Sequence, residues 1–169
     1  MSFAPDTLAK ARAKSYLAAM RLALASIVVM LASTFPAAAA DPLAGLQWEA
    51  RPLLLFAKSR SDASLDKQID LLRERRPDLR ERQMVVFRTA GNEDTRAAIG
   101  YVDLPRGAAR SLRRRFEPRP NGLTVILVGK DGTEKGRWER VVEPDEIFEL
   151  VDSMPMRQRE AQGQSATTN

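Results

Sequence analysis

The chain contains no cysteine and no histidine in 169 residues. The first absence excludes thiol redox chemistry, a disulfide framework and a lipid anchor on a thiol. The second removes the usual general base at neutral pH and the commonest metal ligand. Aromatic residues are scarce, at 6%. Long apolar runs are nearly missing as well: the longest, Leu22 to Leu31, is half of the roughly 20 residues that a membrane-spanning helix needs.

That one run sits in an informative context. Lys10, Arg12, Lys14 and Arg21 precede it, Pro36 breaks it, and Ala37 to Ala40 follow. Charged, apolar and small residues in that order form a secretory signal peptide, with Ala38 and Ala40 as the small pair before a cleavage site. The expectation is a leader over 1–40, a mature domain over 41–160 and no stable membrane span once the leader is removed. Met20 followed by Arg21 would open a leader of ordinary length, and translation is expected to start there. No paired arginines precede the apolar run, which favours the general export route over the twin-arginine one.

Export changes the charge argument. The whole chain carries +5, but beyond Ala40 there are 23 basic and 21 acidic residues, a net +2. A nearly balanced exported chain is not expected to bind nucleic acid. The 129 residues after Ala40 suffice for one domain with a single core, which packing alone must hold.

Along this segment the patterns alternate. Leu53 to Ala57 reads as a buried strand. From Ala63, Leu65, Ile69, Leu71 and Leu72 stripe a helix that Pro77 is expected to stop. Met84 to Phe87 is a second strand, TAGNEDTR is turn-forming, and Ile99 to Val102 reads as a short extra strand or packed loop. Ala108, Ala109, Leu112 and Phe116 stripe another helix. Leu123 to Val128 is a strand, Asp131 and Gly132 a hairpin turn, and Lys135 to Glu139 the returning strand. Pro144 opens a last helix with Asp145 and Glu146 in its first turn, and Ile147, Phe148, Leu150, Val151 and Met154 form its apolar stripe until Pro155. The segment 161–169 is small and polar and is expected to be disordered.

The order β-α-β-α-β-β-α with one mixed central sheet is that of an α/β, thioredoxin-like fold. Redox members of that fold carry C-x-x-C after the first of these strands. Here Lys58 to Asp62 occupy that position, and Leu123 stands where such members place a proline before the third strand.

The segments RPLLLFA, ERQMVVF, LTVILVGKDGTEKGRW and EIFELVDSMPMRQRE resemble the domain-of-unknown-function family 4174, over about Arg51 to Arg159. The family occurs alone in exported bacterial proteins and as a module in animal sushi-repeat matrix proteins. The resemblance implies a thioredoxin-like domain outside the cytoplasm, periplasmic or secreted, and carries no catalytic residues.

Two groups of residues are candidates for binding. Lys58, Ser59, Arg60 and Asp62 form a loop where the two cations could hold an anion beside a helix start. The plainer reading makes Ser61 and Asp62 helix caps. Arg110, Arg113, Arg114 and Arg119 could present a basic face to an acidic partner, or simply form a solvated one. Met154 and Met156 could line a partner groove, or pack in the core.

No metal site and no cofactor are expected, since no loop has the oxygen-ligand spacing of a calcium site. The partner is an unknown protein or anionic ligand. The leading expectation is therefore a non-catalytic binding module. Its rival is a cysteine-free hydrolase or transferase using carboxylates and arginine, for which Glu93 with Asp94, and Asp145 with Glu146, are the available acid pairs, and Ser59 beside Lys58 the available nucleophile. Terminal sequencing of the exported protein should give Asp41; a mature chain retaining Leu22 to Leu31 would overturn the localisation.

Overall fold

A computed structural model describes residues 41–91, 95–100 and 104–167. The segment 1–40 read as a leader, the pair Glu93 and Asp94, and the end of the element read over Ile99 to Val102 lie outside them.

The central strand, β1 (Arg51–Ala57), is buried at all seven positions, which is why its sequence is a continuous apolar run rather than an alternating one. It pairs in parallel with β2 (Met84–Ala90) and antiparallel with β4 (Thr124–Val128). β5 (Glu134–Trp138) returns antiparallel along β4, and β3 (Arg96–Ile99) lies antiparallel on β2, giving the order β3-β2-β1-β4-β5. The parallel crossover from β1 to β2 runs through α1 (Ala63–Glu74) and α2 (Arg76–Glu81). α3 (Ala108–Phe116) precedes β4, and α4 (Pro144–Asp152) and α5 (Pro155–Thr167) follow β5. Two parallel strands flanked by an antiparallel hairpin, with crossover helices and a closing helix, make the thioredoxin-like fold. β3 and α5 are additions to it.

Strand alternation splits the core into two layers. Leu53, Leu55, Val86, Val125 and Leu127 point to one face, where they meet Leu65, Ile69 and Leu72 of α1, Leu79 of α2, and Ile147, Phe148 and Val151 of α4. Leu54, Phe56, Phe87, Ile126 and Val128 point to the other, against Ala108, Leu112 and Phe116 of α3 and against Leu43 and Leu46 from a short 3-10 turn before β1.

Several boundaries differ from the sequence expectations. Pro77 does not simply end a helix: α1 stops at Glu74, and Pro77 lies in the first turn of α2, where its missing N–H is no loss. The extra strand starts at Arg96, inside the segment read as a turn, because β2 and β3 pair Arg88 with Arg96 and Phe87 with Ala97. The Asp131–Gly132 pair is not a two-residue hairpin turn; the loop covers 129–133, closed by Gly132 N–H to Gly129 O and Gly129 N–H to Thr133 O, with Gly132 at φ +80. Pro155 stops α4 but opens α5, which continues to Thr167 through most of the segment read as disordered. Ala and Gln residues have fair helix propensity, and α5 is anchored near its middle by Glu160.

That anchor is ionic. Arg51, 1% exposed, donates through both terminal nitrogens to the two carboxylate oxygens of Glu160, at 3.1 and 3.2 Å, and also to the Arg82 carbonyl at 2.9 Å. Lys130 reaches the same carboxylate at 2.8 Å and hydrogen-bonds Gln83. One turn earlier on α5, buried Arg157 contacts Glu81 of α2 and Asp152 of α4. Asp152 in turn takes a two-pronged contact from Arg82, whose guanidinium lies 4.7 Å from the centre of the Phe148 ring; that of Arg75 lies 5.2 Å from it. Burial alone would raise the Glu160 pKa, but the hydrogen bonds and charges of Lys130 and Arg51 prevail and lower it. Asp152 is lowered likewise, with Arg82 and Arg157 overcoming its desolvation.

Two outcomes follow from this packing. Phe148→Ala should cost about 3–5 kcal/mol in denaturant unfolding, while Arg114→Ala, on an exposed position, should cost under ~0.5 kcal/mol; equal midpoints would refute the packing of α4. Because Glu160 and Asp152 are depressed in the folded state, their contribution is complete above the ordinary carboxylate range and is lost as pH falls through and below it. Glu160→Gln should therefore destabilise the fold on the order of 3 kcal/mol at pH 7. The gap between its melting temperature and that of the wild type should close on acidification toward pH 3.

Candidate functional site

The position that carries thiols in redox relatives of this fold lies where β1 ends. The chain leaves Ala57 through Lys58, Ser59, Arg60 and Ser61, all exposed, and enters α1 at Asp62. Asp62 is the N-cap: its side chain accepts from the Ser64 N–H at 3.0 Å, so the acid is engaged in holding the helix start. Ser61 does not cap; its hydroxyl lies 3.3 Å from that of Ser59. The turn is held against the end of β2, where the Gly91 N–H donates to the Ala57 carbonyl. Gly91 is at φ +58, and a Cβ there would stand 3.2 Å from the Lys58 carbonyl, so a side chain at 91 would crowd the turn.

Beneath this end of the sheet lies a residue whose placement the pattern did not suggest. Arg113 of α3 is partly buried and donates to the Ala57 carbonyl at 3.3 Å and the Thr89 carbonyl at 3.4 Å, with its guanidinium 5.6 Å from the centre of the Phe56 ring. Its Nε is buried without a partner, and desolvation lowers its pKa. Among the described residues it has no carboxylate partner. The signal was in the spacing: Arg113 follows Ala109 by four and precedes Phe116 by three, next to the buried stripe of α3. Close by, the Thr89 and Thr95 hydroxyls share a buried hydrogen bond of 2.7 Å.

The four arginines read as one basic face are therefore not brought together. Arg113 turns under the sheet end. Arg119 lies beyond α3 and pairs with Glu139 at 2.8 Å. Arg110 and Arg114 remain exposed on α3, and their neighbour Arg115 pairs with Asp41 at 2.6 Å. Of the methionines, Met154 packs on the core edge and Met156 is half-buried.

Nor does the described acid pair, Asp145 with Glu146, form a catalytic arrangement. Asp145 pairs with Arg75 at 2.7 Å, and Glu146 with Arg140 at 2.8 Å while accepting from the Trp138 indole at 2.6 Å. Those contacts, led by the Arg140 and Trp138 hydrogen bonds, lower the Glu146 pKa, which suits an ion pair and not a general acid. Glu93 and Asp94 lie outside the described residues. Among the described residues no group of three acidic side chains is placed to hold a metal ion. The larger cavity described, about 450 Å³, is at the start of β2, and among the described residues no carboxylate lines it.

Two solved structures are distantly similar. One is described as the structure of a malarial protein, 13% identical with a TM-score of 0.42, covering 61% of this chain and 94% of its own. The other is a thioredoxin peroxidase I of Plasmodium yoelii, 13% identical with a TM-score of 0.47, covering 69% of this chain and 79% of its own. The family described as Domain of unknown function (DUF4174) matches residues 42–160. The chain belongs to the DUF4174 family.

Proposed function

We propose that the protein is an exported, non-catalytic binding module that uses a thioredoxin-like scaffold to meet an acidic protein partner outside the cytoplasm. The observation that carries this reading is the composition of the turn after β1. Where a redox protein of this fold would expose a thiol, this chain exposes Lys58, Ser59 and Arg60, and it has no thiol or imidazole at any position. What persists is the exposed, rigidly mounted loop at the end of a buried central strand, a place where binding residues are commonly held. The formal charge of Lys58 to Ser61 is positive, and Asp62, which follows them, is committed to the helix cap. Arg113 adds a partly buried cation to the same end of the sheet. An extended acidic surface would meet several of these charges at once, which favours fast and oriented encounter.

The test places a photo-reactive residue at Ser59 in the cells that make the protein, with the same residue at Arg73 as control. Position 59 should capture a partner, position 73 should not, and Lys58→Glu combined with Arg60→Glu should suppress capture. Equal capture from both positions, or capture indifferent to charge reversal, would sink the proposal. Free phosphate separates a multipoint surface from a small-anion pocket. A millimolar site would add about 1.4 kcal/mol of stability at ten millimolar ligand. Because Asp62 already takes the Ser64 amide, wild type and a Lys58→Ala, Arg60→Ala variant should respond in parallel at fixed ionic strength.

A further inference from the structure

The cavity of about 450 Å³ lies at the other end of β2 from Gly91 and has no part in the proposed partner surface. The described register of β2 with β3 runs over Val86 to Arg88, and the cavity lies beyond it toward the start of β2. Leu79 of α2, Met84 and Val85 of β2, and Ala98 and Ile99 of β3 give the cavity apolar walls. Val85, Ala98 and Ile99 are left half-buried. Gly100, at φ +110, takes the chain past this wall so closely that a Cβ would stand 2.9 Å from a Val85 methyl.

The rim is cationic. Arg76 and Arg80 are one turn apart on α2, both exposed and both lining the cavity. The other arginines of this stretch have acids: Arg73 has Asp70 at 3.1 Å, Arg75 has Asp78 and Asp145 at 2.7 Å, and Arg82 has Asp152 at 2.6 Å. Among the described residues Arg76 and Arg80 form no ion pair, and no acid lines the cavity. An apolar hollow within the roughly 300–1,000 Å³ range of small-ligand sites, with a few convergent polar groups at its mouth, is the form such sites take. Guanidinium pairs of this kind match the planar oxygens of a carboxylate.

We propose that this cavity binds a single-chain amphiphile with a carboxylate head: the tail lies against Leu79, Met84 and Ile99, and the carboxylate meets Arg76 and Arg80. Apolar burial supplies the attraction and the arginines supply the selection for a charged head, so the head alone does not bind and an uncharged tail binds more weakly.

Octanoate is the probe, titrated at fixed ionic strength while methyl resonances are followed by NMR. Saturable shifts should appear at Leu79, Met84, Val85, Ala98 and Ile99. Octanol should bind at least about tenfold more weakly, the equivalent of one 1.4 kcal/mol step in affinity, and acetate should give no saturable shift. Arg76→Gln with Arg80→Gln, both exposed and so without cost to the fold, should erase the preference for octanoate over octanol. Ala98→Leu, which fills the hollow, should abolish binding of both, with Met84 methyl dispersion confirming an intact core. Octanol binding as tightly as octanoate, a preference that survives the double substitution, or no saturable shift in the wild type would each overturn the proposal.

Discussion

A guanidinium at the first residue of the central strand, removed from water, constrains much of the molecule around it. An unpaired charge in that position would be prohibitively costly, so Arg51 has to be met by a carboxylate and by further hydrogen bonds. The carboxylate is Glu160, more than a hundred residues away, which is why α5 returns beneath the start of the sheet. The Arg82 carbonyl ties the end of α2 to the same group. Lys130 shares Glu160, so the β4–β5 loop is drawn inward and its lysine is buried, although the loop sits at a hairpin tip. The closing helix is thus held mainly by charge: its buried side chain is Arg157, and its contacts to Glu81 and Asp152 repeat the arrangement one turn away. Arg82 links this ionic layer to the apolar one by stacking on Phe148 while gripping Asp152.

The parts of the fold that were legible in the sequence are those where burial repeats with a period. The buried strands β1 and β4 and the stripes of α1, α3 and α4 are where apolar spacing placed them, and Asp62 caps as its position suggested. What escaped was set by single long-range partners. PMRQREAQGQSAT has no periodic apolar spacing to mark a helix, because α5 lacks an apolar face and is fixed by Glu160 finding Arg51. Pro77 and Pro155 both read as stops, yet proline is equally suited to a first turn, and tertiary packing selected the second use. The basic run on α3 shows the same limit. Arg110 and Arg114 are exposed as a solvated face would have them, while Arg113, between them in sequence, leans over Phe56 to the ends of β1 and β2.

The two ends of the sheet have different chemistry as a result. At the end of β1 and β2, cations gather with no thiol, on a turn that Asp62 and Gly91 hold in place. At the start of β2, an apolar hollow lies beside two arginines of α2. Between them β1 and β4 are buried at every position, so packed core separates the two ends.

The outer strands differ in a way that bears on how copies of this domain could associate. β5 carries Glu134, Lys135 and Arg137, with Arg137 folded back onto Glu134 at 2.8 Å, so an incoming strand would have to displace charges from their partners. β3 is four residues long and contains Ala97, Ala98 and Ile99, with Arg96 its only charge. Of the two outer strands, β3 is therefore the one that sets fewer charges against an incoming strand. Two copies pairing edge to edge along β3 would form a twofold pair, a closed assembly rather than a fibre.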